Sequence, residues 1–128
     1  MPVTARVLVV DDNEDNLRIV SQILRGRGYE VRVARDGASA LAALEAERPD
    51  IVLLDVMMPE MDGIQVLDRI RSNPRSASVP VILVTAKTQD EDVLAGYAYG
   101  ADYYITKPFT ARRLLHGIAL VLGDAQPE

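Results

Sequence analysis

The chain lacks cysteine altogether, and this absence excludes a disulfide framework and any zinc site built on thiolates. It also lacks a long apolar segment, since no hydrophobic run approaches the roughly 18 residues that a membrane-spanning helix needs. Its first residues, MPVTAR, have none of the apolar character of a signal peptide. From these absences we expect a cytoplasmic protein that has no membrane association.

Positive charge is also scarce. The chain has 14 lysine and arginine residues against 19 aspartate and glutamate residues, which gives a net charge of −5. The overall electrostatic field therefore does not favour nucleic acid, and we expect no direct DNA binding. The length of 128 residues suits one domain with its own core. We expect this domain over residues 1–124, followed by a short C-terminal tail over residues 125–128.

Short β-branched segments alternate strictly with longer amphipathic segments along the chain. The predicted strands are 6–10, 30–34, 51–54, 81–84 and 103–105, and the predicted helices are 13–27, 38–47, 63–71, 89–99 and 110–122. Asp62 and Thr110 are predicted to cap the helices that they precede or begin, and Gly123 is predicted to end the last one. This alternation predicts an α/β domain with a five-stranded, doubly wound parallel sheet. The first, third and fourth strands are almost continuously apolar, as central strands are. The second strand, which contains the charged Arg32, and the short fifth strand are predicted to lie at the edges of the sheet.

Polar side chains stand where these strands end. In the stretch DIVLLDVMMPEMDG an apolar strand runs directly into Asp55. Asp11 and Asp12 follow the first strand, Thr85 follows the fourth strand, and Lys107 comes just after the fifth strand. Because ligands of open parallel sheets bind beyond the carboxyl ends of the strands, we expect these five side chains to converge. Neighbouring carboxylates repel, by about 4 kcal/mol per pair at 4 Å and an effective dielectric constant of 20, so a cation is needed among them.

The chemistry of these residues indicates which cation and which reaction. Oxygen ligands without histidine or cysteine favour Mg²⁺, and Lys107 and Thr85 suit phosphoryl oxygens. Together they indicate phosphoryl transfer to Asp55. Each acid taken alone is more often a turn residue or a helix cap, as Asp12 or Asn13 would be for the first helix. The hypothesis therefore depends on the combination of residues at adjacent strand ends.

The motifs VLVVDDNEDN, IVLLDVMMPEMDG, VPVILVTA and GADYYITKPF occur in this order and cover nearly the whole chain. They resemble the receiver domain of two-component response regulators, which has a flavodoxin-like (βα)5 fold. The resemblance implies the strand order 2-1-3-4-5 and phosphorylation of Asp55 by a sensor histidine kinase or a histidine phosphotransfer protein. It also implies a Mg²⁺ site, with Asp12 and Asp55 as direct ligands, Asp11 bound through water, and the Met57 backbone carbonyl.

The resemblance further implies a switch. Lys107 would bind a phosphoryl oxygen, and its peptide bond to Pro108 would be cis. Thr85 would move towards the phosphoryl group and Tyr104 would turn inwards. These movements would alter the surface formed by the predicted helix 89–99, the fifth strand and the last helix, which we call the switch face. Its expected partner is a downstream effector domain or protein, or a second copy of the chain in a phosphorylation-dependent dimer.

Several residues around these motifs remain open to more than one interpretation. Met57 and Lys87 resemble family positions that tune phosphoryl lifetime, although Lys87 is equally well explained as a solvated surface lysine. Pro59 and Gly63 are predicted structural residues of the loop after Asp55. Four tyrosines serve either packing or a partner face, and they are Tyr97, Tyr99, Tyr103 and Tyr104.

The C-terminal helix raises two smaller questions. Leu120 is predicted to project away from the apolar stripe of the helix, either as an ordinary exposed leucine or as a dimer contact. His116 is the single histidine of the chain, and its position on the outer polar face predicts a solvated surface residue without a part in phosphotransfer.

Three other functions compete with the receiver hypothesis. An aspartate-nucleophile hydrolase of the haloacid dehalogenase type carries a second aspartate two residues after the nucleophile; Met57 occupies that position, so we expect no turnover of an external substrate. A flavodoxin-like electron carrier is disfavoured because the first loop offers acids where a flavin phosphate needs donors. The remaining alternative is a phosphorylation-independent interaction module of the same fold.

Overall fold

The computed structural model describes residues 5–56, 58, 62–85 and 100–123. Its strands are β1 (Arg6–Val10), β2 (Glu30–Ala34), β3 (Ile51–Asp55), β4 (Val81–Thr85) and β5 (Tyr103–Thr106). Its helices are α1 (Glu14–Gly26), α2 (Gly37–Ala46), α3 (Gly63–Ser72) and the last helix (Ala111–Leu122), which we call the C-terminal helix. The predicted helix 89–99 lies outside the described residues.

The five strands form one parallel sheet in the order β2-β1-β3-β4-β5. This arrangement confirms the predicted doubly wound, flavodoxin-like fold and its strand order. Every residue of β3 and β4 is buried, whereas β2 exposes three of its five residues and β5 buries only one of four. The apolar strands are therefore central and the mixed strands lie at the edges, as the sequence predicts.

Three predicted strands, the third, fourth and fifth, ended one residue short. Asp55 pairs with Val84, and Thr85 pairs with Thr106, so the acid and the hydroxyl are the last residues of β3 and β4, and Thr106 is the last residue of β5. The prediction stopped at the last apolar residue, but backbone pairing between strands does not depend on side-chain polarity. The correction matters because these two functional candidates belong to rigid strands.

The core has two layers, one on each face of the sheet. One layer packs α2 and α3 against alternate strand residues, among them Leu8, Leu54 and Leu83. The other packs α1 and the C-terminal helix against the opposite face, which includes Val9, Leu53 and Ile82. Because side chains alternate across a strand, consecutive apolar residues supply both layers, and this explains the unbroken apolar runs in the sequence.

Side chains next to the helices satisfy the free backbone groups at the helix ends. Asn13 accepts a hydrogen bond from Asn16 N and caps α1, which settles the choice between Asp12 and Asn13. Asp62 and Gln65 form a reciprocal capping box at α3. Thr110 caps the C-terminal helix, and Gly123 ends it with a φ of 76°, a left-handed conformation that favours glycine. The predicted signals at Asp62, Thr110 and Gly123 are confirmed.

Within the described ranges, every helix is too short or too polar to cross a membrane.

Candidate functional site

Three carboxylates meet at the carboxyl edge of the sheet. Asp11 and Asp12 directly follow β1, and Asp55 ends the neighbouring strand β3. One carboxylate oxygen from each of the three lies within 4.8 Å of the others. Asp11 and Asp55 are each only 5% exposed, whereas Asp12 faces solvent. The structure therefore brings together the acids that the sequence predicted, in a cluster with two buried members and one exposed member.

Lys107 adds one positive charge to this cluster. Its Nζ lies 3.4 Å from Oδ2 of Asp11 and 3.4 Å from Oδ2 of Asp55. The Lys107 backbone N–H donates a 2.7 Å hydrogen bond to the carbonyl of Thr85, and the Lys107–Pro108 peptide bond is cis. The backbone contact continues the pairing of β4 with β5, so the sheet positions the backbone from which the lysine side chain reaches the acids.

Asp11 is held by contacts that the sequence analysis missed. Its Oδ1 accepts a 2.9 Å hydrogen bond from the Asn13 backbone N–H, and its Oδ2 accepts a 3.3 Å bond from the Asn16 side chain. The first contact is a local turn that aspartate commonly makes two residues ahead, so the Asp-Asp-Asn stretch carried a usable signal. Asn16 gave no such signal, because its role depends on the first turn of α1 facing Asp11.

Gly63 lies directly against the backbone of the central acid. A Cβ atom at this position would come within 2.4 Å of the Asp55 carbonyl oxygen and 2.7 Å of the Val56 Cα. The Gly63 N–H also donates a 3.0 Å hydrogen bond to the Val56 carbonyl. These contacts explain the glycine sterically, since any side chain would have to displace the strand end that carries Asp55.

The two predicted switch residues lie on the neighbouring strands. Thr85 ends β4 and is fully buried. Tyr104 lies in the middle of β5, is half-buried and packs against the core layer of α2 and α3. Leu83, within that layer, pairs with Tyr104 in the sheet. A continuous strand pair therefore connects the end of β4 with the position of Tyr104.

An ion pair stands beside the acid cluster. The guanidinium of Arg35, just after β2, hydrogen-bonds the carboxylate of Glu14 in the first turn of α1. This hydrogen bond, assisted by the attraction of the two charges, lowers the pKa of Glu14 and raises the pKa of Arg35. The next residue, Asp36, caps α2, and the hydrogen bond from the Ser39 backbone lowers its pKa. Both acids stay ionised at neutral pH.

The donor set fits Mg²⁺ on its chemistry. Asp11, Asp12 and Asp55 offer only oxygen atoms, and hard divalent cations prefer oxygen ligands. Three carboxylates face one lysine, so the cluster keeps a surplus of negative charge that a divalent cation would neutralise. The Met57 backbone carbonyl, the fourth predicted ligand, lies outside the described residues, as do Pro59 and Lys87.

An open cleft of about 430 Å³ adjoins the cluster. Its polar side consists of Asp11, Asn16, Asp55 and Lys107, and its apolar side includes Ile19 and Phe109. The Ile19 side chain is half exposed. Asp55 therefore lines a cleft that is open to solvent and has an apolar wall.

Comparison with known proteins identifies the family of this chain. The sequence model of the response regulator receiver domain matches residues 7–119. The chain is a response regulator receiver domain. It is 48% identical over 115 residues to the probable transcriptional regulatory protein TcrX of Mycobacterium tuberculosis, an alignment that covers 89% of this chain and 47% of TcrX. It is 44% identical over 110 residues to the DNA-binding response regulator MtrA of the same species, with 86% and 47% covered.

Solved structures of other receiver proteins have the same fold. The chemotaxis protein CheY4 of Vibrio cholerae superposes with a TM-score of 0.89 at 35% identity, covering 93% of this chain and 99% of CheY4. A CheY-like receiver domain protein from Methanospirillum hungatei gives a TM-score of 0.88 at 33% identity, covering 95% and 96%. The chain thus matches almost all of these two structures but only about half the length of the curated relatives.

Proposed function

We propose that this receiver domain accepts a phosphoryl group on Asp55 from a histidine kinase or a histidine phosphotransfer protein. The observation that carries the proposal is the joint geometry of the site, with three carboxylate oxygens within 4.8 Å of one another and Lys107 Nζ 3.4 Å from two of them. A structural ion pair requires one acid for one base; this cluster has three acids, two of them buried, and the excess favours a role in binding and catalysis.

The residues have separate roles in this proposal. An Asp55 carboxylate oxygen attacks phosphorus, the new O–P bond forms, and the P–N bond of the donor phosphohistidine breaks to release its imidazole. Lys107 attracts a phosphoryl oxygen as a point charge. Mg²⁺, held by Asp11, Asp12 and Asp55 with the Met57 carbonyl, would neutralise charge on the phosphoryl oxygens. The residues provide for covalent modification of the domain itself, and we propose no turnover of an external substrate.

We infer that phosphorylation is passed on through Thr85 and Tyr104 to the switch face. The support for this is positional, since Thr85 is buried at the end of β4 and pairs with Thr106, two residues beyond Tyr104. A new dianion near Thr85 would favour donation from its hydroxyl, and movement of that side chain would change the space available to the half-buried Tyr104 ring. An effector domain or protein, or a second copy of the chain, would then meet an altered surface. A cytoplasmic location, where such donors occur, remains part of the proposal.

The proposal is tested by intact mass after incubation with acetyl phosphate, with and without Mg²⁺. We expect one phosphoryl adduct that requires Mg²⁺ and disappears in Asp55→Asn. Asp68→Asn, which removes an exposed acid of α3, is the matched control and keeps the adduct. If a known receiver is modified under the same conditions and this domain is not, the proposal is wrong, and the phosphorylation-independent interaction module takes its place.

The switch has its own test. Binding of the phosphoryl analogue beryllofluoride should shift the amide signals of β5, including that of Tyr104, in nuclear magnetic resonance spectra of the domain. Thr85→Ala should keep the phosphoryl adduct on Asp55 and lose most of the Tyr104 shift. Equal Tyr104 shifts in Thr85→Ala and in the unaltered protein would show that Thr85 does not transmit the change to Tyr104.

A further inference from the structure

A second concave surface lies between the end of α1 and the C-terminal helix, and we call it the basic groove. It encloses about 280 Å³ and is lined by Arg27, Tyr29, Arg112, Leu115, His116 and Ala119. It shares none of these residues with the cleft beside Asp55. The groove is thus a separate feature of the same helical face.

The charge of this groove is of one sign. Its lining includes two guanidinium groups and an imidazole but no carboxylate. Two other concave surfaces of the domain combine both signs, with Glu30 and Glu47 near arginines in one and Glu45 near Arg69 and Arg75 in the other. Within the described ranges, neither Arg27 nor Arg112 has an ion-pair partner; seven other basic residues have one and four other arginines do not. The groove is distinguished by its combination of two unpaired arginines with no carboxylate in the lining, on a chain of net charge −5.

Helix stability does not explain the position of Arg112. The residue lies in the first turn of the C-terminal helix, which has no acidic residue in that turn, and a cation near a helix N-terminus is opposed by the helix dipole. By contrast, α1 begins with Glu14 and Asp15, as the dipole favours. Arg27, at the end of α1, is favourably placed for the dipole, so Arg112 is the more informative member of the pair.

The shape of the groove indicates the kind of ligand. The lining extends along the C-terminal helix from Arg112 to Ala119, a distance of about 10 Å. Arg27, Arg112 and His116 are exposed and the surface is open to solvent, whereas small-molecule sites enclose most of their ligand. The net charge of −5 disfavours nucleic acid. An extended acidic segment of another protein matches both the length and the charge, and the Tyr29 and Leu115 side chains offer it apolar contact.

We propose that the basic groove binds a carboxylate-rich segment of a protein partner. Arg27 and Arg112 bind the carboxylates, and His116 belongs to the same lining. The site is independent of phosphorylation, so it adds a second docking point to the domain and does not rest on the function proposed for Asp55.

The test is an amide-shift titration of the whole domain with a short blocked peptide of alternating glutamate and alanine. We expect saturable shifts at Tyr29, Leu115 and Ala119, and none with the same peptide carrying glutamine for glutamate. Arg27→Gln combined with Arg112→Gln should weaken binding about fivefold to tenfold, the amount that two exposed charge pairs provide. Arg18→Gln combined with Arg75→Gln changes the net charge equally at two ion-paired arginines and should leave the affinity unchanged.

Each other outcome contradicts the proposal in a recognisable way. Shifts spread over the surface, or equal weakening in both double variants, would mean general charge attraction. Saturable binding of adenosine monophosphate without peptide binding would assign the groove to small phosphorylated ligands, and binding of duplex DNA in its place would assign it to nucleic acid. The Asp55→Asn domain should bind the peptide as the unaltered domain does, which separates failure of the groove from failure of the phosphorylation site.

Discussion

The two ends of the sheet both contain clustered charges, yet the clusters differ in how completely they are neutralised. At the carboxyl edge, three carboxylates face one lysine. At the amino edge, the Arg71 guanidinium is surrounded by partners: it donates to the carbonyls of Ala77, Val79 and Gly100 and to the carboxylate of Asp102. Asp102 also accepts a 2.8 Å hydrogen bond from the backbone of Val81.

This difference separates structure from function within one small domain. The Arg71 network joins the end of α3 to the segments that precede β4 and β5, and it is closed because every donor direction finds an acceptor. The Asp55 cluster is open because its three carboxylates outnumber the one lysine that contacts them. A charge-balanced polar network stabilises the fold, whereas a cluster with a surplus of one charge favours binding of an oppositely charged ligand.

The largest predicted effect is at the closed end. Arg71→Met should lower the free energy of unfolding by about 2–4 kcal/mol, because it removes the charge that faces Asp102 and the side-chain donor of three carbonyls. Urea denaturation measures this loss. Arg69→Met, two residues earlier on an exposed part of α3, is the control and should change the free energy of unfolding little. A loss below about 1 kcal/mol for Arg71→Met would mean that water replaces the arginine, and the contrast between the two ends would fail.

The next effect concerns the support of the open end. Gly63→Ala should destabilise the domain by about 1–3 kcal/mol, because its Cβ would overlap the backbone of Asp55 and Val56. It should also slow phosphorylation by displacing Asp55. Urea denaturation and the acetyl phosphate reaction measure the two consequences. Gly26→Ala meets no atom within 4 Å and serves as the control. An unaltered rate and stability in Gly63→Ala would show that the strand end adjusts without cost.

Removing a charge should have opposite consequences at the two ends. Without Mg²⁺, Asp55→Asn should stabilise the domain by about 1 kcal/mol because it relieves carboxylate repulsion, whereas Asp102→Asn should destabilise it because it removes the charge that faces Arg71. Added Mg²⁺ should stabilise the unaltered domain and have less effect on Asp55→Asn. Thermal unfolding with and without Mg²⁺ tests both points. A destabilised Asp55→Asn would mean that Lys107 already neutralises the cluster.

The smallest predicted effect is on pH dependence, and it comes from the exposed acids that flank the open end. The pKa values of Asp36 and Glu14 are lowered by hydrogen bonds from Ser39 and Arg35. A lowered folded-state pKa stabilises the protein above the pKa of the unfolded chain, near pH 4, and this stabilisation is lost as the pH falls through the folded-state value.

Below about pH 4, the urea midpoint of the unaltered domain should therefore fall more than the midpoint of Asp36→Asn does. The reason is that asparagine keeps the acceptor that caps the helix but does not titrate. Above that range the difference between the two proteins should be constant. A difference that changes between pH 6 and 8 would assign the effect to another group.

The sequence predicted the fold through local and periodic signals. Apolar runs marked the central strands, Arg32 marked an edge, and Asp62, Thr110 and Gly123 marked helix ends. It also predicted that Asp11, Asp12, Asp55 and Lys107 would converge, because parallel strands bring their carboxyl ends together. It did not predict the Arg71 network, since carbonyls that accept from a distant arginine leave no trace in residue type.

The linear sequence by itself determined the described strands and helices, with their ends to within one residue, and the side chains that reach one edge of the sheet, because these follow from hydrophobic periodicity, capping chemistry and the direction of parallel strands. Only the tertiary structure decided which charges are neutralised. Arg71 and Lys107 both have acidic partners that are distant in the sequence, but Arg71 lies among carbonyls and a single acid, and Lys107 lies among more acids than it can neutralise. Electrostatic balance depends on distances between residues far apart in the chain, and folding alone sets those distances.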